Sequence, residues 1–188
     1  MIWTTSNILT FARVLAAPCL ALVFVLLERP LADWLAFVLF TAAALTDYVD
    51  GWLARRWEQI SEIGKMLDPI ADKAMVTVAL AVLTGLIGLS FWYVVPMAAI
   101  LLREVLVSGL REYLGDVKLP VTNLAKWKTT AQMFAIGWLL LFLPDADGPG
   151  LGTYAGFALL WVAAVLTVVT GWDYFQKGTA VLRARERR

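Results

Sequence analysis

The chain has 188 residues, 61% of them hydrophobic and 16% charged, with a mean hydropathy of +0.74. Soluble domains run about 45–50% apolar and about 25% charged, so this composition excludes a soluble enzyme, a disordered chain and a secreted disulfide scaffold. Net charge is +1, with one cysteine and no histidine, which removes nucleic acid as an expected partner, any intrachain disulfide, and all imidazole-based catalysis and metal binding.

The charge-free runs measure out the membrane spans. An all-α integral membrane protein with six transmembrane helices is expected, at about 8–27, 31–50, 68–87, 91–113, 127–144 and 151–175. The first span is preceded by an interfacial segment, residues 1–10, without the cationic stretch and cleavage site of a signal peptide, so this span is expected to be retained. It carries Cys19, read as a small buried apolar residue. Within the long apolar run Ala74–Leu102, the segment Gly85–Ser90 reads as a tight turn between the third and fourth spans. The connections are short except for 51–67 and 114–126, and the chain ends in a basic tail, 177–188. No internal repeat stands out, so 1–188 reads as a single domain.

Lysine and arginine set the orientation. Arg55, Arg56, Lys65, Lys118, Lys126 and the tail Lys177–Arg188 fall on one side, while Arg29 is alone on the other with Glu28, Asp33, Asp145 and Asp147. Cytoplasmic loops carry the excess of cations, so both termini are expected in the cytoplasm of a cell with this protein in its inner membrane. Trp3, Trp34, Trp92, Trp127 and Trp172 lie near span ends and read as an interfacial belt.

Four aspartates interrupt this pattern. Trp34–Thr46 is too short to cross about 30 Å of hydrocarbon, so the second helix must continue through Asp47 and Asp50. The third must begin near Asp68 and include Asp72. Spacings of three and four residues put each pair on one helix face, at the cytoplasmic ends of adjacent antiparallel helices. Carboxylates in a membrane helix are costly, and four converging ones without histidine suit hard divalent cations, Mg²⁺ or Mn²⁺. Two such ions would balance four negative charges, in a polar metal-binding cavity at the cytoplasmic side. Gly51, Ala54 and Gly64 keep the neighbouring faces small, and Arg55 is a fork donor suited to phosphate.

The run Asp47-Tyr-Val-Asp50-Gly51-Trp-Leu-Ala54-Arg55, a short spacer, then Gly64-Lys-Met-Leu-Asp68-Pro-Ile-Ala-Asp72 resembles the signature of the CDP-alcohol phosphotransferases. That signature reads D-x-x-D-G-x-x-A-R followed by G-x-x-x-D-x-x-x-D. The resemblance covers nearly the whole chain and implies transfer of a phosphatidyl or similar group from a CDP-linked donor to an alcohol, with release of CMP. It implies that Asp47, Asp50, Asp68 and Asp72 hold two divalent ions, and that Asp72 deprotonates the acceptor hydroxyl. It further implies that Gly51, Arg55, Ser61 and Gly64 line the cytidine diphosphate and that Asn7 reaches the nucleotide; a helix cap is the other reading of Asn7. A homodimer is the family default.

The acceptor is read from the fourth and fifth helices. Arg103-Glu104 with Arg111-Glu112, and Lys126-x-Lys128-Thr129-x-x-Gln132, resemble the branch of that family whose acceptor is sn-glycerol 3-phosphate and whose donor is CDP-diacylglycerol. Arg111, Lys126, Lys128 and Thr129 are the expected acceptor-phosphate ligands, with Gln132 on the same face as Lys128. Arg103–Glu104 is also readable as a structural intramembrane pair, and the two lysines as ordinary cytoplasmic-loop charge. Inositol phosphate, serine and phosphatidylglycerol are the competing acceptors; an ion-coupled transporter is the rival from another class, and it would place its carboxylates near mid-membrane.

Overall fold

The computed structural model describes residues 5–57, 62–115, 123–145 and 147–186. Among the described residues six helices form in chain order: α1 (Thr5–Leu26), α2 (Leu31–Trp57), α3 (Glu62–Ile87), α4 (Phe91–Leu114), α5 (Asn123–Leu141) and α6 (Leu151–Glu186). Among the described residues, four stretches are long and apolar enough to cross a bilayer: Asn7–Leu26, Met66–Ile87, Phe91–Leu114 and Leu151–Arg185. A shorter apolar stretch, Leu31–Thr46, lies in α2. The chain is all-helical, with the dimensions of a multi-pass membrane protein.

Most helices extend beyond the expected spans; α1 begins at Thr5 and α5 at Asn123, and the largest extensions are in α2, α3 and α6. α2 continues to Trp57, α3 begins at Glu62, and α6 reaches Glu186, so much of the connection expected over 51–67 is helix, as is the basic tail through Glu186. The apolar runs measure only the part of a helix inside hydrocarbon. Its hydrogen-bond ladder continues into water wherever residues such as Arg, Glu and Lys favour it. α5 stops at Leu141, short of Pro144, because the residue before a proline disfavours helical geometry. The turn between α3 and α4 forms where Gly85–Ser90 indicated, with Gly88 at φ +79° and Ser90 at the N-cap of α4.

The chain divides into two compact units. The first contains α1, α2, α3 and Ile136–Thr153; the second contains α4, α5 up to Ala135, and α6 from Tyr154. In the first, α1 packs against α2 and α3. Its core uses small residues that permit close helix approach, Ala17, Ala36, Ala71 and Ala79, with Leu20, Phe40, Leu80 and Leu83 filling between them. Cys19, expected to be buried, is instead exposed on α1. A small apolar side chain suits a lipid-facing position as well as a core one.

At the far end of α1 an arginine ties two connections together. Arg29 Nε donates to Asp33 Oδ2 at 2.9 Å, and Nη1 donates to the Pro144 carbonyl at 2.6 Å. Asp145 lies 3.5 Å from Nη2. The cation standing alone on its side of the sequence is therefore the hub joining the α1–α2 turn to the end of α5. Arg29→Ala is expected to cost about 2 kcal/mol, because it leaves the buried Asp33 carboxylate without its donor. A lowered Tm in detergent, with unchanged specific activity of the folded protein, is the expected result.

In the second unit α4 and α6 run side by side in parallel. Trp161 Nε1 donates to the Trp92 carbonyl at 3.0 Å, and Arg185 Nη2 donates to the Leu114 carbonyl at 3.2 Å. Between these, a Cβ at Gly171 would come within 2.6 Å of Arg103 Cγ, so glycine there is what lets the Arg103 side chain lie across α6. Trp34, Trp92, Trp127 and Trp172 are exposed, as an interfacial belt requires; Trp3 lies outside the described residues.

Candidate active site

Two polar clusters stand out against the apolar helices, one in each unit. The first is built from α1 and α3. Asn7, Thr10 and Arg13 recur every third residue and continue into Ala17 and Leu20, and all five are buried. This face of α1 is polar toward its N-terminus and apolar beyond. Opposite the polar part lie Asp68 and Asp72, one turn apart on α3. Thr10 Oγ1 donates to Asp68 Oδ1 at 2.7 Å. The Arg13 guanidinium sits 3.7 Å from Asp68 Oδ1 and 3.9 Å from Asp72 Oδ1.

The Arg13 side chain is 5% exposed, whereas those of Asp68 and Asp72 are 49% and 45% exposed. The carboxylates are thus half-exposed while the cation beside them is buried. Asp47, Asp50 and Gly51 occupy α2, but nothing beyond their helical backbone is described, and the same holds for Arg55 in α2 and Lys126 in α5. Ser61 lies wholly outside the described residues. Among the described residues no three His, Cys, Asp or Glu side chains cluster. What is described fits a hard divalent cation: two half-open carboxylates on one helix face, all-oxygen donors, and a chain with no histidine to compete.

Gly64 is buried in α3, one turn before Asp68. Asn7 is buried inside α1, so it stands within the helix rather than at its cap position. Neither Thr10 nor Arg13 was singled out from the sequence. The available signal was their three-residue spacing from Asn7, which puts all three on one face, and an arginine inside an apolar helix, where an unpaired cation is costly.

The second cluster lies in α4, α5 and α6. Glu104 Oε1 accepts from Arg103 Nη1 at 3.1 Å and also from Lys128 Nζ. Side-chain exposures of 15%, 23% and 7% for Arg103, Glu104 and Lys128 put all three largely inside. Gln132, one turn along from Lys128, is buried, and its Oε1 has no hydrogen-bond partner among the described residues. The same holds for Thr167 Oγ1 and for Arg103 Nε. Lys128 and Gln132 therefore share a buried face, as their spacing indicates. Thr129 is exposed. Arg111, two turns beyond Arg103 on α4, is also exposed, with its guanidinium 5.9 Å from the centre of the Tyr174 ring.

A family model for CDP-alcohol phosphatidyltransferases matches residues 3–169. The chain belongs to this family. A Cereibacter sphaeroides relative named CDP-diacylglycerol--glycerol-3-phosphate 3-phosphatidyltransferase is 47% identical, over 97% of this chain and 99% of its own length. Relatives of the same name from Rickettsia bellii and Escherichia coli K12 are 44% and 39% identical, over 90% and 94% of this chain. They are covered over 92% and 95% of their own lengths. The resemblance read from the Asp47–Asp72 motif is thereby established, and membership in a CDP-alcohol phosphatidyltransferase family makes this chain a membrane-embedded transferase rather than an ion-coupled transporter.

Proposed function

We propose that this protein transfers a phosphatidyl group from CDP-diacylglycerol to sn-glycerol 3-phosphate, yielding phosphatidylglycerophosphate and CMP in phospholipid biosynthesis. The observation that carries this reading is the near full-length match to relatives named for that reaction, in a chain that keeps every position of the aspartate motif.

Asp47, Asp50, Asp68 and Asp72 would hold two divalent ions, Mg²⁺ or Mn²⁺. When bound, these ions would neutralise charge on the donor diphosphate and on the departing CMP. Asp72 accepts the proton of the acceptor hydroxyl, an alcohol being a poor nucleophile until a base within hydrogen-bond reach takes it. Asn7, Gly51, Arg55, Ser61 and Gly64 line the CDP moiety. The half-exposure of Asp68 and Asp72 supports this assignment, since a ligating carboxylate must be reachable from solvent.

Arg111, Lys126, Lys128 and Thr129 take the acceptor phosphate. Lys128 is the best supported of them: it is buried, hydrogen-bonded to Glu104, and one turn from a Gln132 oxygen able to accept an acceptor hydroxyl. The reading includes six crossings of the inner membrane with both termini cytoplasmic, and two contacts support the alternation of helix direction that it requires. Arg29 links the α1–α2 connection to the segment after α5, and α4 runs parallel to α6. The cavity would then open at the cytoplasmic boundary, where the donor keeps its acyl chains in the bilayer and a soluble acceptor arrives from the cytosol. A homodimer is proposed as the assembly.

The deciding experiment is an acceptor panel with purified protein and CDP-diacylglycerol. CMP release is expected with glycerol 3-phosphate and at most a few per cent of that rate with inositol phosphate, serine or phosphatidylglycerol. A preference for any of the others would reassign the acceptor while leaving the family chemistry in place.

A further inference from the structure

We propose that Arg13 is a positioning residue for the aspartate site, a buried cation that holds Asp68 and Asp72 in place and offsets their charge before metal arrives. The inference rests on the metal reading above, but its observations are separate.

An arginine within an apolar helix is tolerated only where it is paired, and Arg13, at 5% side-chain exposure, is directed at two of the four motif carboxylates. The manner of pairing is informative. A guanidinium opposed to a carboxylate ordinarily forms two parallel hydrogen bonds of about 2.8 Å that occupy both oxygens. Here the nearest approaches are 3.7 Å to Asp68 Oδ1 and 3.9 Å to Asp72 Oδ1. At these separations Arg13 acts on Asp68 and Asp72 as a nearby charge.

One directional contact runs through Thr10. Arg13 Nη2 donates to Thr10 Oγ1 at 3.5 Å, and Thr10 Oγ1 donates to Asp68 Oδ1 at 2.7 Å. Accepting from the guanidinium commits the threonine hydroxyl to donating toward Asp68, which fixes that carboxylate's rotation. Such outer partners commonly set ligand orientation and metal affinity. Four aspartates and two divalent ions would sum to zero, so the added positive charge of Arg13 favours an incoming diphosphate. In the metal-free protein the same charge limits repulsion between neighbouring carboxylates.

A merely structural arginine and a charge-balancing one differ in how their loss responds to metal. Thermal unfolding of the full-length protein in detergent is measured with excess Mg²⁺ and with excess chelator, for wild type, Arg13→Gln, Arg13→Lys and Thr10→Val. The expected result is that Arg13→Gln widens the Tm gap between the two conditions by about 5 °C, the loss falling on the chelated form. Arg13→Lys, which retains the charge, should restore a gap near that of wild type, and Thr10→Val should fall between. An equal Tm loss in both conditions overturns the proposal. If Arg13→Gln does not accumulate in the membrane, the charge-balanced Arg13→Gln/Asp68→Asn protein must accumulate, and its failure to do so also overturns the proposal. A wild-type Tm indifferent to Mg²⁺ overturns the metal reading and this inference together; wild-type stabilisation with an unchanged gap in Arg13→Gln overturns this inference alone.

Discussion

Asp72→Asn is expected to lower CMP release from CDP-diacylglycerol and glycerol 3-phosphate by about 10³-fold or more while leaving CDP-lipid binding detectable. The substitution is nearly isosteric but removes the carboxylate's capacity to take a proton, and general-base catalysis alone is worth about 10²–10⁴-fold. It would also weaken one of the proposed metal ligands, so the loss should lie at or above the upper part of that range. Binding should survive better than turnover, because Asp68 keeps its Thr10 contact and its neighbouring Arg13 charge. Steady-state CMP release and equilibrium binding of the CDP-lipid, measured on the same preparation, separate the two effects. An Asp72→Asn protein retaining a tenth of wild-type turnover would reject Asp72 as the base. Asp68→Asn provides the contrast: its main loss should be in donor binding.

Much of this site could be read from the residues because its carboxylates are expensive where they lie. A 13-residue apolar run, Trp34–Thr46, cannot reach across hydrocarbon, so Asp47 and Asp50 had to lie in α2. The same reasoning put Asp68 and Asp72 on one face of α3, where the structure has them together. The turn at Gly85–Ser90 was legible because two glycines and a serine interrupt an otherwise apolar run. Helix ends were less legible. Nothing in the hydropathy of 51–67 distinguishes a solvated helix from a loop, and α2 and α3 both extend into that stretch.

Tertiary partners were the least legible. Arg13 had no visible function until α1 was seen against α3, because its carboxylates lie more than fifty residues away in the chain. Glu104 read as the partner of its neighbour Arg103, and that pair exists; the structure adds Lys128 from α5 to the same oxygen. Spacing identified Lys128 and Gln132 as sharing a face, but it could not separate the buried Lys128 from the exposed Arg111. Both are simply cations in a cytoplasmic-side segment until burial distinguishes them.

That distinction leads to the second large effect. Lys128→Ala is expected to raise the KM for glycerol 3-phosphate about 30- to 100-fold, with the KM for CDP-diacylglycerol within about twofold of wild type. A hydrogen bond to a charged group is worth about 1.5–3 kcal/mol, and the burial of Lys128 would limit competition from water for the proposed phosphate contact. The alanine protein should still fold, because Glu104 retains its 3.1 Å bond from Arg103 Nη1. Arg111→Ala, at an exposed position beside Tyr174, should raise the same KM less than about fivefold, since exposed charge pairs contribute little. Glu104→Gln tests how Lys128 is held. It preserves the cation but weakens its anchor, and should raise the acceptor KM by a smaller factor than Lys128→Ala while leaving the donor KM unchanged. A Lys128→Ala protein impaired chiefly in CDP-diacylglycerol binding would move Lys128 out of the acceptor pocket and into the donor site.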